Sequence, residues 1–365
     1  MELPIRILAI DVGAGTQDVF LYESGREPEN CVKLVLPSQP RVVAARIREV
    51  TERGRPLYLA GSLMGGGAST EAVLDHLHAG LPVYAAPEPA RTIHNDLNRV
   101  QSLGIQLRDE PPPGAEVVWL GDIDLAGLRQ ALRCFEVTLP SLFAIAVQDH
   151  GYLPDAGGRE FRYEFLQGLL ARGGHLHDMV YREPPEFMIR MRATRRLVPG
   201  AVIMDTGAAA VLGSLCDPMV ARAAYETGAV LVNIGNMHTF GVAVRGQRVY
   251  GLFEHHTGGI TAAILSYLVE QLQQGRLTHE EVAASGGHGA AFDPAYSRAG
   301  RFDFVAVTGP NRGLARGLGY YEAAPFGDMM LTGAFGLVEG TLRLLEREEF
   351  APRLPSLIEG AHLAD

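Results

Sequence analysis

Lysine is almost missing from this sequence: Lys33 is the only one among 32 basic residues, and the other 31 are arginines. That scarcity excludes phosphate chemistry that runs through lysine. A Walker A loop needs Gly-Lys-Ser/Thr, and a protein kinase needs a strand lysine on the nucleotide phosphates. Lys33 lies in Cys31-Val32-Lys33-Leu34, with neither context around it. A pyridoxal Schiff base would have to fall on the same residue. Arginine in place of lysine fits a GC-rich genome. Cysteine is scarce too. Cys31, Cys134 and Cys216 are odd in number and far apart, which leaves no disulfide framework, no cysteine metal knot and no triplet for an iron–sulfur cluster. Positive charge is outweighed, with a formal net charge of −10, the wrong sign for a nucleic-acid groove. No apolar run reaches the roughly 18 residues that read as a membrane span. Met1-Glu2-Leu3-Pro4-Ile5-Arg6-Ile7 has neither the basic start nor the cleavage site of a signal peptide. The expectation is a cytoplasmic protein with no nucleic-acid or membrane partner.

What is present is a 365-residue chain, 47% apolar and 20% charged, enough for one large or two medium domains with a real core. Apolar runs at Ile5–Ile10, Val19–Tyr22 and Val32–Leu36 read as strands, and Arg41–Arg53 carries helical spacing. Leu57–Ala60 is a short strand ending on Gly61, and Gly65-Gly66-Gly67 leads into a helix start at Ser69-Thr70-Glu71. Val83-Tyr84, a helix over Thr92–Leu103 and a strand at Val117–Leu120 continue the alternation, with loops at 108–113 and 155–159. Such alternation predicts an α/β fold with mainly parallel pairing.

One long-range echo stands out. Residues 7–22, ILAIDVGAGTQDVFLY, overlay residues 229–244, AVLVNIGNMHTFGVAV, without a gap. Asp11 meets Asn233, Gly13 meets Gly235 and Thr16 meets His238. A hairpin recurring about 220 residues later points to two related domains, although β-hairpins resemble one another generally. The turn Asp11-Val12-Gly13-Ala14-Gly15-Thr16-Gln17-Asp18 carries the most chemistry. Its glycines let backbone approach a ligand, successive N–H groups form a concavity for phosphate oxygens, and Thr16 adds a hydroxyl. Asp11, at the strand end, is where the water shell of Mg²⁺ could be held. A purely structural hairpin is the alternative.

This segment resembles the first phosphate motif of the actin, hexokinase and heat-shock chaperone ATPase superfamily. Other parts follow in order. Residues 202–213, VIMDTGAAAVLG, resemble the connecting strand and helix, and residues 230–261 the second phosphate hairpin with its Gly258-Gly259 turn. Residues 303–312, DFVAVTGPNR, resemble the adenosine motif, and residues 325–345 the closing helix, where Gly327, Gly333 and Gly336 permit close packing. The resemblance covers roughly 1–60 and 200–347. The chain is also similar to a branch of that superfamily labelled pyruvate formate-lyase activating enzyme, yet it lacks the three clustered cysteines of the radical activases. In the second hairpin Asn233 replaces the usual Asp, and Asn236-Met237-His238 replaces a Gly-Gly-Thr type run. Asn cannot hold Mg²⁺ as a carboxylate would, and Met237 puts a side chain where backbone normally meets phosphate.

The resemblance implies two actin-like (ribonuclease H-like) α/β domains flanking a cleft for ATP and Mg²⁺. Domain I would run over 1–220, with a substrate or partner segment inserted at about 61–200, domain II over 221–330, and 331–365 would return to domain I as a helix. Asp11 would hold Mg²⁺ through water. Gly13, Ala14, Gly15, Thr16, Gly235, Asn236, His238, Gly258, Gly259, Gly309 and Asn311 would bind nucleotide. Asp205 would face the γ-phosphate as a general base or water-orienting group; it also fits a helix N-cap, and the two roles are compatible. Gln148, Asp149 and His150 follow an apolar strand, where α/β sheets tend to bind ligands, and are the candidate substrate contacts. Asp149 beside His150 could form an acid/base pair or hold a hydroxylated substrate, or the three could simply begin a loop. Gly61–Gly67 could present N–H groups to an anion, or be a packed turn. The arginines at 182, 190, 192, 195 and 196 could meet an anion but fit a solvated helix face better. The pairs His76/His78, His175/His177 and His255/His256 lack the framework of a metal site. The expected activity is ATP-dependent phosphoryl transfer to a small hydroxylated or carboxylated metabolite. The alternatives are an ATPase that activates a protein partner by domain motion, or a nucleotide binder without turnover. A homodimer is compatible with each.

Overall fold

The apolar runs near the N-terminus pair as an antiparallel meander of β1 (Arg6–Val12), β2 (Thr16–Glu23) and β3 (Val32–Pro37), followed by helix α1 (Gln39–Glu52). The computed structural model describes residues 4–153, 158–349 and 354–358. Next come β4 (Leu57–Gly61), α2 (Ala68–His78), β5 (Val83–Ala85), the short α3 (Pro87–Ala90) and α4 (Leu97–Ser102), β6 (Gln106–Leu107), β7 (Glu116–Leu120) and α5 (Leu125–Arg133). Then follow β8 (Leu142–Val147), α6 (Gly158–Ala171), β9 (Val180–Tyr181), α7 (Ile189–Leu197), β10 (Val202–Met204), α8 (Thr206–Ser214) and α9 (Pro218–Glu226). A second meander, β11 (Ala229–Ile234), β12 (His238–Arg245) and β13 (Arg248–His256), leads into α10 (Ala262–Gln273), α11 (His279–Ala284) and β14 (Gly289–Phe292). The last elements are α12 (Tyr296–Ala299), β15 (Phe304–Thr308), β16 (Tyr321–Glu322) and α13 (Thr332–Glu349).

These strands form two six-stranded sheets of matching design, β3-β2-β1-β8-β10-β9 and β14-β13-β12-β11-β15-β16. In each, an antiparallel meander is extended by parallel pairing on its first strand, β1 with β8 and β11 with β15. The hairpin echo is one of register as well as composition. Ile7 pairs with Tyr22 and Val12 with Gln17, as their counterparts Ala229 pairs with Val244 and Ile234 with Thr239. The fold is therefore α/β with two sheets that share one core topology. A third, wholly parallel sheet, β6-β5-β4-β7, carries the segment between α1 and β8.

Both faces of the main sheets are covered, so their strands alternate between two cores. Ile7 and Ala9 pack with α8 and α13, while Leu8, Ile10 and Val12 face the core beneath α7. In β11, Ala229 and Leu231 join the first of these cores, and Val230, Val232 and Ile234 pack under α10. The α8–α13 pair is thus shared by both sheets. Its crossing is close: a Cβ on Gly213 would collide with the Thr332 carbonyl, and one on Gly336 with the Ala209 carbonyl.

Two expectations change in detail. The helix expected over Thr92–Leu103 spans only Leu97–Ser102, because the Asp96 carboxylate caps it by accepting from Asn98 N at 2.9 Å. Thr92 is instead drawn to Met64, whose N–H its hydroxyl accepts at 3.1 Å. The loop expected over 155–159 lies mostly outside the described residues, and α6 has begun by Gly158. Lys33 stands on β3, with Nζ 3.9 Å from the Asp328 carboxylate. Among the described residues, no helix is long and apolar enough to cross a membrane.

Candidate functional site

The two hairpin turns face each other across a cavity of about 370 Å³. The turns are built alike: Gly13 N donates to Thr16 O at 2.9 Å, and Gly235 N to His238 O at 2.9 Å. Their tips touch, since a Cβ on Gly15 would collide with the Asn236 amide. Asp11, Gly13, Ala14 and Thr16 line the cavity from one side, and Gly235, Asn236 and His238 from the other. Gly309 joins them, as do Gln148, Asp149 and His150. Gly15, Asp205, Gly258, Gly259 and Asn311 are not among the described lining residues. Asn311 instead stitches the β15 turn to the second hairpin, its amide donating to Gly235 O at 2.9 Å and its N–H to Ile234 O at 3.0 Å.

Asp11 and Asp18 are direct cross-strand partners in the first hairpin, which puts both carboxyls on one face. Asp11 Oδ1 and Asp18 Oδ1 are buried without hydrogen-bond partners. Burial raises the Asp11 carboxyl well above the usual range, and Asp18 and Asp205 add to the rise. Asp18 is pushed up to about 7, first by burial and then by Asp328, against a 3.4 Å hydrogen bond from the Thr16 hydroxyl. Buried carboxylates without a countercharge are costly. A divalent cation with hard oxygen ligands fits them, and these orphaned oxygens are the donors Mg²⁺ takes.

The other candidates are more tightly engaged. Asp205 is fully buried at the N-terminus of α8, where Oδ1 accepts from Gly207 N at 2.9 Å and Ala208 N at 3.3 Å. Its Oδ2 meets Arg162 NH1 at 3.0 Å. The capping role and a charged role therefore coexist in one residue. Asp149 does not pair with His150. Its carboxylate accepts from Gly151 N, Arg190 N and Met191 N at 2.8–3.0 Å, anchoring the start of α7. Gln148 reaches across to Glu254 Oε1 at 2.8 Å. Gly65, Gly66 and Gly67 line the cavity, and Gly65 N donates to Asp122 at 3.0 Å. Of the arginine group, Arg190 lines the cavity and forks onto Asp122 at 2.8 Å. Arg182, Arg192, Arg195 and Arg196 pair with Glu348, Glu186, Glu183 and Glu88.

Two groups had no local signal in the sequence. Arg162 of α6 is 1% exposed and bridges Asp205 to Glu254, meeting Glu254 Oε2 with Nε at 2.8 Å. Burial alone would raise the Glu254 carboxyl, but Arg162 holds it well below the usual range. The second group is histidine. His150, His238 and His288 place ring nitrogens within 4.8 Å of one another, although the chain separates them widely. Of the histidine pairs conspicuous in the sequence, only His256 comes near this cluster, its ring 4.8 Å from that of His238. His255, on the opposite face of β13, is tied to Ser285 Oγ at 3.1 Å, and His76 to Thr51 at 2.8 Å.

Comparison with known proteins bears on the whole chain. No curated protein matches it in sequence. Solved structures with a similar course include an exopolyphosphatase-like protein, 9% identical, covering 84% of this chain and 66% of that one at a TM-score of 0.26. This chain thus spans just under two thirds of that relative. The ethanolamine utilization protein EutJ from Carboxydothermus hydrogenoformans is 12% identical over 92% of this chain and 90% of its own, at a TM-score of 0.28. The ROK hexokinase from Thermus thermophilus is 13% identical over 98% of both chains, at 0.27. A family model described as "Putative pyruvate format-lyase activating enzyme (DUF1786)" matches residues 64–314. With more than half of its length so matched, the chain belongs to the DUF1786 family.

Proposed function

We propose that this chain binds ATP with Mg²⁺ between its two hairpin turns and transfers a phosphoryl group to a small hydroxylated or carboxylated metabolite. The observation that carries this reading is the Asp11–Asp18 pair: two adjacent carboxyls, each with a buried unpartnered oxygen, beside a glycine turn that faces its own counterpart. Mg²⁺, when bound, supplies charge neutralisation to the phosphates. Asp11 holds it through water, with Asp18 alongside. The backbone of 13–16 and 235–238 cradles phosphate oxygens, and Gly309 with Pro310 lies under the nucleoside. Gln148, His150 and Arg91 line the part of the cavity left for the acceptor. Asp205, with both oxygens engaged, acts on position by holding Arg162 and the start of α8. The radical chemistry in the family's label is not adopted, because Cys31 and Cys216 are buried apart from exposed Cys134 and all three are free thiols.

Asp11→Ala should abolish Mg-ATP binding in calorimetry while the protein stays folded; unchanged affinity would sink the reading. A thermal-shift screen of metabolites with and without Mg-ATP then identifies the acceptor as a compound that stabilises further only when nucleotide is present. A second reading, an ATPase that activates a partner protein, draws on Val117 and Trp119. They are 41% and 67% exposed on one face of the edge strand β7, and exposed apolar surface of this kind marks interaction sites. ATP hydrolysis that no metabolite in the screen stimulates, and that Trp119→Ser leaves unchanged in isolation, would favour it.

A further inference from the structure

The histidine cluster is a different kind of site from the carboxylate pair. His150 follows β8, His238 opens β12 and His288 precedes β14, so three separate strand ends converge. The rings form a near-regular triangle, with centroids 5.1 Å apart for His150–His238, 4.8 Å for His150–His288 and 5.3 Å for His238–His288. Both ring nitrogens of His238 and Nε2 of His150 are buried without a hydrogen-bond partner. An interior imidazole left in that condition is unusual and costly, because nearly all buried polar atoms find partners. We infer that His150, His238 and His288 bind one divalent first-row transition ion of the zinc class at the edge of the cavity.

A metal takes the lone pair of a neutral imidazole nitrogen, and neither nitrogen of His238 nor Nε2 of His150 is engaged by a hydrogen bond. The geometry needs modest closure. Zinc–imidazole bonds of about 2.0–2.1 Å put tetrahedral ligand nitrogens roughly 3.3 Å apart, against 4.8 Å at most here. Imidazole selects zinc-like ions, whereas Mg²⁺ wants oxygen, so this site does not compete with the Asp11–Asp18 pair. Three protein ligands leave a fourth position open, as in catalytic zinc sites. His150 and His238 line the cavity, so that position faces it. Because the ligands carry no charge, the ion keeps its own and attracts an anionic oxygen, of a phosphate or a carboxylate. The His256 ring packs 4.8 Å from His238 and 4.7 Å from His288, forming a layer behind the ligands.

The test uses the full chain without a histidine tag, stripped with chelator and titrated with Zn²⁺ by calorimetry. One equivalent should bind, and Asp11→Ala should leave that binding unchanged. His150→Ala and His238→Ala should each weaken it by roughly 100-fold or more, since even an outer-shell loss costs 10–100-fold. The exposed-site variant His78→Ala should not. Co²⁺ should give the visible absorption of a low-coordinate site, and X-ray absorption of the zinc-loaded wild type should count three imidazoles, a readout that needs no variant to fold. Absence of stoichiometric binding, retained affinity in the two variants, or an absorption spectrum without imidazole scattering would each overturn the inference.

Discussion

Asp18 carries a pH dependence whose sign can be worked out. Its folded value of about 7 lies above the ordinary 3.8, so between those values the folded chain holds a proton that the unfolded chain has released. Stability from this group is full below about 4 and is lost as pH rises through 7. Burial is the first cause and Asp328 the second, opposed by the Thr16 hydroxyl. Asp11 opposite moves in the same direction, while Lys33 reaches Asp328. His238 works the other way: lowered to about 4 from 6.5, it contributes stability that is present above the unfolded value and lost as pH falls through 4. The wild-type curve is therefore flattened, and a difference curve isolates Asp18. Asp18→Asn should match wild type near pH 4 and gain on it up to pH 7, by on the order of 3 kcal/mol. Denaturant melts at several pH values measure this; an offset independent of pH would show that the carboxyl is not raised.

Among elements, the α8–α13 crossing makes the sharpest structural demand. A Cβ at Gly336 meets the Ala209 carbonyl, and backbone cannot step aside as a side chain can. Gly336→Leu should cost about 1–3 kcal/mol or more by overpacking. Gly340, on the same helix, faces side chains rather than backbone: Val180 at 3.1 Å, Met204 at 3.4 Å and Leu212 at 3.5 Å. There Gly→Ala should be near neutral, because relief of the helical glycine penalty of about 1 kcal/mol offsets the squeeze. Urea midpoints of the two variants give the comparison. The elements themselves were mostly legible. Strand runs, glycine turns and the repeated hairpin are local patterns, and a matching pattern fixed a matching register. Asp205 could be read as a cap because a cap is a local motif. The departures come from contacts that no local pattern encodes. Asp149 read as an acid/base partner of adjacent His150, but α7, some forty residues later in the chain, supplies N–H groups that take its carboxylate. The histidine triangle joins three strand ends that only sheet topology brings together, while the conspicuous sequence pairs point to opposite faces or to solvent.

At the scale of the whole molecule, Arg162 is the bolt between the two sheets. It meets Glu254 on β13 with Nε at 2.8 Å and NH2 at 3.3 Å, and Asp205, beyond β10, with NH1 at 3.0 Å. Nothing in its surroundings along the chain distinguishes it from a solvent-facing arginine. Removing it alone would leave two buried carboxylates unpaired, and breaking such a set costs about 3–5 kcal/mol. Arg162→Met should therefore be strongly destabilised, and adding Asp205→Asn and Glu254→Gln should recover most of the loss, because the penalty lies in the stranded charges. The bonding is also unequal. Two nitrogens, Nε and NH2, tie Arg162 to Glu254, and α6 packs on β13 and β14. NH1 alone serves the first sheet, shared between Asp205 Oδ2 at 3.0 Å and the Asp149 carbonyl at 3.3 Å. Opening of the cleft should then part Arg162 from Asp205, with α6 travelling with the second sheet. Asp205→Asn keeps the oxygen that caps α8 but gives up the charge that holds Arg162. It should shift the nucleotide-free protein toward an open form, seen as a larger radius of gyration in small-angle scattering, which Mg-ATP reverses. A radius identical to wild type without nucleotide would mean that the bolt holds from the Glu254 side alone.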